Sequence, residues 1–168
     1  MSDTAPISPL VRTAIIVADL ERSMAFYRDI LGIPEVYHRG HIADPAVGRL
    51  LGMPENTETR LAIVKGVGPA LGMVGLFEIV NHTPPTLSRG EAGLSSGETC
   101  LVFYHRDLAA LSERLEEGGY QIVCPALQLQ VSEDFRSTEM TFRDPDGVMI
   151  NCIERDPDTV WNEQEFNR

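Results

Sequence analysis

Polar side chains set into apolar segments are where chemistry would sit in this chain. Glu78 lies in MVGLFEIV, and a carboxylate there is a candidate general base. Cys100 lies in ETCLVFYH. It is a nucleophile only if a neighbour lowers its pKa, and no adjacent base is evident, so an inert thiol is the simpler reading. Tyr104 shares strand parity with Cys100 and would line the same face, whereas His105 has the opposite parity and reads as a surface residue. Arg60 and Glu139 are charged residues in otherwise apolar strands. They are placed to pair with each other, to meet a ligand or, more simply, to face solvent.

The elements that must position these residues follow from the hydrophobic pattern. Residues 1–10 read as a flexible arm. VRTAIIV (11–17) is a short β-rich strand. Asp19 then caps a helix whose stripe is Leu20, Met24, Tyr27 and Leu31, and Gly32 ends it. Residues 35–41 are a second strand. ADPAVGRLLGMP is an insertion holding a short helix, with Asp44 as its cap. Residues 58–65 and 71–80 are the third and fourth strands. Pro84-Pro85 and the glycines and serines after them mark 81–97 as a linker. The pattern then recurs: a strand at 98–105, a helix capped by Asp107 with Leu108, Leu111 and Leu115 on one stripe, and strands at 120–124, 136–142 and 148–154. Asp144-Pro145-Asp146-Gly147 is the turn before the last of these. The tail, 155–168, is polar, with Trp161 and Phe166 available to dock it.

Asp19 and Asp107 thus mark the same point of a repeated unit, 88 residues apart. The expected fold class is α+β: two βαβββ modules, at 11–80 and 98–154, forming curved mixed sheets around a shared cavity.

Composition narrows the partners. With 43% hydrophobic and 23% charged residues, the chain can bury an ordinary core. A net charge of −11 without a basic cluster argues against nucleic acid. No apolar run nears the roughly 20 residues of a membrane span, and no basic-then-apolar leader opens the sequence. Three cysteines, an odd number in apolar surroundings, fit reduced thiols in the cytoplasm.

VRTAIIVADLERSMAFYRDILGI resembles the opening module of the vicinal oxygen chelate superfamily, and TFRDPDGVMINCIE resembles its closing hairpin. That superfamily holds glyoxalase I, bleomycin-resistance proteins and extradiol dioxygenases. The resemblance covers about residues 10–155. It implies a small-molecule ligand and a homodimer. It also implies four inward positions that hold a divalent ion in the metal-dependent members. Here these fall on Arg12, Gly75, Cys100 and Asn151. Arginine has no free electron pair to donate and glycine has no side chain. Cysteine ligates only as a thiolate, and asparagine is a weak ligand. His38, His41, His82 and His105 all lie elsewhere. The expectation is therefore no metal and no other cofactor, with metal-dependent glyoxalase I and extradiol cleavage disfavoured.

In the resemblance's register Arg12 points inward. A buried guanidinium needs an anionic partner, so Arg12 is expected to grip a carboxylate, phenolate or enolate of the ligand. Asn151 would orient the ligand by hydrogen bonds, with Cys100 and Tyr104 beside it. Two functional classes follow. One is a metal-independent lyase or isomerase using Arg12 and Glu78. The other is a resistance-type protein that sequesters a small molecule without converting it.

Overall fold

The computed structural model describes residues 6–87, 94–130, 132 and 136–157. Trp161, Phe166 and most of the terminal arm and tail lie outside these. The chain divides into two compact units, Met1–Thr86 and Leu87–Arg168. The division falls inside the stretch expected as linker.

The first unit runs β1 (Arg12–Val17), α1 (Leu20–Ala25), β2 (Glu35–Ile42), α2 (Ala46–Leu51), β3 (Thr59–Lys65) and β4 (Met73–Ile79). Its sheet order is β1-β4-β3-β2, with β1 and β4 parallel and the other pairs antiparallel. The second unit repeats the plan with β5 (Cys100–His105), α3 (Leu108–Glu117), β6 (Ile122–Gln130), β7 (Arg136–Arg143) and β8 (Met149–Glu154). Its order is β5-β8-β7-β6, with β5 and β8 the parallel pair. The protein is α+β, built from two four-stranded mixed sheets.

Local chemistry explains the repeat. Asp19 Oδ1 accepts from the Arg22 N–H at 3.0 Å, and Asp107 Oδ1 accepts from the Ala110 N–H at 2.9 Å. Each satisfies one of the backbone donors left open at a helix start, worth about 1 kcal/mol. The first helix departs from the expected single run. After Ala25 it widens into a π-helical turn over Phe26–Ile30. Phe26 and Tyr27 there are fully buried, their rings edge to face at 5.3 Å.

Strand parity then sorts each sheet into two faces. In the first unit α1 packs on β3 and β4. Ile15, Val17, Ala62, Val64, Val74 and Leu76 form the buried helix side. The opposite, helix-free face carries Leu61, Ile63 and Met73, packed with Ile42 and Phe77. In the second unit the stripe Leu108, Leu111 and Leu115 meets Leu101, Met140, Phe142, Ile150 and Cys152, all buried. Each such leucine contributes roughly 1.5–3 kcal/mol.

Two details of the second unit bear on the site. The 144–147 turn is fixed by Asp144, whose Oδ1 accepts from Asp146 N–H at 2.9 Å and Val148 N–H at 2.7 Å, and by Gly147 at φ 83°. That turn sets the register of β7 on β8. β6 is longer than expected and reaches Gln130. It is an edge strand with two register shifts, and this accommodates Pro125. No helix among the described residues is long and apolar enough to cross a membrane.

Candidate functional site

On β7, Met140 and Phe142 go to the helix side, so Ser137, Glu139, Thr141 and Arg143 go to the other. Register places Thr141 opposite Asn151, and Glu139 opposite Ile153. On the far side of β8, Val102 lies beside Asn151 and Tyr104 beside Ile153. One helix-free face therefore carries three of the expected site residues: Cys100, Tyr104 and Asn151.

That face is organised by a carboxylate. Ser137 Oγ donates to Glu139 Oε1 at 2.6 Å, and Asn151 Nδ2 donates to Glu139 Oε2 at 3.1 Å. The same Nδ2 lies 3.4 Å from Thr141 Oγ1. An ionised carboxylate only accepts hydrogen bonds, so the amide must turn its NH₂ toward β7. Asn151 Oδ1 is left free of any protein donor among the described residues. Tyr104 forms an aromatic edge to this face, with the Arg155 guanidinium 5.1 Å above its ring.

Cys100 is half-buried at the start of β5. Burial raises its thiol pKa, and a backbone hydrogen bond from Asn151 and the charge of Arg143 only partly offset this. That is the direction opposite to an activated nucleophile.

The two expected residues of the first unit are separated from one another. Arg12 lies on the helix-free face, over Gly75: a Cβ added at Gly75 would stand 3.5 Å from Arg12 Cδ and 2.9 Å from the Phe77 ring. The side chain is exposed rather than buried. Its guanidinium is solvated, so it has no obligatory partner, and none is found among the described residues. Glu78 lies on the helix side instead. There it accepts from Arg60 Nε at 2.9 Å, and Arg60 is its cross-strand neighbour in β3. The Arg60 pKa is raised, first by the hydrogen bond to Glu78 and then by its charge. So Arg60 does not pair with Glu139, and Glu78 is not presented on the same face as Arg12.

Glu139 is the site residue that sequence reasoning passed over as solvent-facing. A signal was present: in RSTEMTF the alternation puts Ser137, Glu139 and Thr141 on one side, against the polar Asn151 of the last strand.

The donors at the family-type metal positions are poor ones. Gly75 offers none, and the Phe77 ring fills the space a side chain there would need. Arg12 cannot ligate, which leaves Cys100 as the only strong donor type of the four, and burial raises its thiol pKa. Asn151 offers its amide Oδ1 alone, a weak neutral ligand. These four residues do not fit the ion. No group of three His, Cys, Asp or Glu side chains among the described residues is placed to hold a metal.

The comparisons with known proteins agree with this architecture. The family model of the glyoxalase/bleomycin resistance protein/dioxygenase superfamily matches residues 10–152. The chain belongs to this superfamily. A search of the curated proteins finds no match. Among solved structures, a glyoxalase family protein from Bacillus cereus superposes with a TM-score of 0.72 at 18% identity, over 92% of this chain and 97% of that one. A glyoxalase/bleomycin resistance/dioxygenase domain from Frankia gives 0.58 at 21%, over 89% and 99%. The trypanothione-dependent glyoxalase I of Leishmania major gives 0.59 at 19%, over 96% and 95%. At such identities the likeness establishes the fold, and function rests on the residues of the site.

Proposed function

We propose that this superfamily member binds a small organic molecule on the helix-free faces of its sheets, without a family-type metal ion. The supporting observation is the convergence of Cys100, Tyr104 and Asn151 on one face, around a carboxylate held by two hydrogen bonds. On the first sheet, considered by itself, Arg12 is an exposed cation on the helix-free face, suited to an anionic ligand. The reading includes action in the cytoplasm as a homodimer.

A metal-independent lyase or isomerase and a sequestering protein both need these faces. Two observations favour sequestration. Glu78 is committed to Arg60 on the other side of its sheet, and the Cys100 thiol is pushed away from its reactive form.

The test is a ¹⁵N-resolved titration of the full chain with benzoate, benzyl alcohol and benzylamine. Shifts confined to the helix-free faces support the reading, and Arg12→Ala should weaken benzoate about tenfold relative to benzyl alcohol. If none of the three probes shifts either helix-free face, the reading fails. Turnover of a bound candidate substrate would replace sequestration with catalysis.

A further inference from the structure

We infer that Glu139 is a specificity-determining residue that selects a ligand bearing a protonated amine. The inference rests on the small-molecule reading above and names the chemistry one face would recognise.

Glu139 is half-buried in the middle of a four-stranded sheet. Its hydrogen-bond partners are the Ser137 hydroxyl and the Asn151 amide, both neutral. Among the described residues no cation pairs with it. Of the other three strand carboxylates, Glu78 pairs with Arg60 and Glu35 with Lys65, while Glu154 accepts from the Leu108 N–H. A carboxylate drawn out of water is stabilised by a charged partner, and two neutral donors fill only about half of its roughly four acceptor directions.

The neighbours reinforce the same polarity. Asn151 turns both its N–H groups toward β7, so its Oδ1 is presented as a further acceptor. Thr141 sits in the next row, beside Asn151. Of the guanidinium groups on this face, Arg155 is stacked over Tyr104 and Arg143 is paired with Glu98. Ile153 stands between Tyr104 and Glu139 in the register, and two strand spacings are about 10 Å. The face therefore offers acceptors and a negative charge, bordered by Val102, Ile153 and Tyr104 as apolar surface. An ammonium group donates up to three hydrogen bonds and carries the missing charge. The chain's net charge of −11 would also draw cations toward it.

The arrangement of donors matters as much as the charge. Ser137 and Asn151 hold the two oxygens from two strands, so the carboxylate is fixed before a ligand arrives. A preformed acceptor loses less freedom on binding.

The experiment titrates benzylamine and benzyl alcohol into the ¹⁵N-labelled full chain and into Glu139→Gln. Benzylamine is expected to shift the amides of Glu139, Thr141 and Asn151. Glu139→Gln should weaken benzylamine at least tenfold and leave benzyl alcohol within about twofold. Ser137→Ala keeps the carboxylate and loosens it, so about threefold weaker benzylamine binding is expected there, with the fold intact. Unchanged benzylamine affinity in Glu139→Gln overturns the inference. So does a wild-type response in which benzoate or benzyl alcohol shifts a helix-free face while benzylamine leaves Glu139 untouched. That last result sinks the amine preference alone and leaves small-molecule binding standing.

Discussion

Arg60 donates its Nε–H to Glu78 at 2.9 Å from one strand to the next, on the side of the first sheet opposite Arg12. A carboxylate in an apolar strand looks like a general base, but this one has a cation and faces the helices. Glu78→Gln is therefore expected to leave the affinity of any ligand of Arg12 unchanged. Arg60 is largely exposed, so the lost pair should lower Tm by about 2 °C or less. A tenfold loss of binding without unfolding would return Glu78 to the site.

The pair formed by Glu98 and Arg143 behaves differently. Their side chains are 7% and 11% exposed, and the N···O distance is 2.8 Å. Arg143 also donates to the Gly147 carbonyl, so it ties the 144–147 turn to the segment entering β5. Removing the carboxylate takes a charged partner at 2.8 Å away from a buried guanidinium. Glu98→Ala should cost about 3 kcal/mol, or roughly 10 °C in Tm, in thermal or denaturant unfolding. A change below about 1 kcal/mol would mean that water reaches Arg143 and screens it.

The three thiols should be separable by their rates. Burial pushes the Cys152 thiol up to about 12, with the proximity of Cys100 adding to the effect. Cys100 is raised as well, while Cys124 is half-buried on the edge strand β6. With a disulfide reagent at pH 8, Cys124 is expected to react first, Cys100 more slowly and Cys152 only on unfolding. Cys124→Ser should remove the fast phase. Rapid native labelling of Cys100 would revive it as a nucleophile.

Much of the architecture was readable because it rests on local signals. Asp19 and Asp107 are caps by residue type, and the Asp144–Gly147 turn is set by proline and glycine placement. Strand alternation put Cys100 and Tyr104 on a common face, and the family resemblance added Asn151 to them. Pairing across strands was less readable. Nothing local says that Arg60 lies beside Glu78, since that follows from the register of β3 on β4. Glu139 was missed for the same reason: its partner Asn151 is on another strand, and only the turn at Gly147 brings the two level. The inward orientation expected of Arg12 came from the family resemblance, and its exposure was not legible. The end of β6 was hidden by Pro125, which reads as a break and is tolerated at a sheet edge.

His105 offers a pH-dependent measurement of the second unit. Its Nδ1 accepts from the Asp107 N–H at 3.1 Å, at the start of α3, and Arg114 Nη2 lies 3.4 Å from Nε2. Burial lowers the ring's pKa below 6.5, Arg114 lowers it further, and Asp107 and Glu154 oppose them. The unfolded chain thus binds a proton at His105 more readily than the folded chain does. Stability rises with pH wherever the unfolded state holds more protons, so this contribution is present above about pH 6.5 and is lost as pH falls below it. His105→Phe should lower stability by about 1 kcal/mol at pH 7.5, where the acceptor for the Asp107 N–H is lost. It should also flatten the fall in Tm between pH 7.5 and 5.5 relative to the unaltered chain. Parallel pH profiles of Tm for the two proteins would show that the ring protonates without disturbing the helix start.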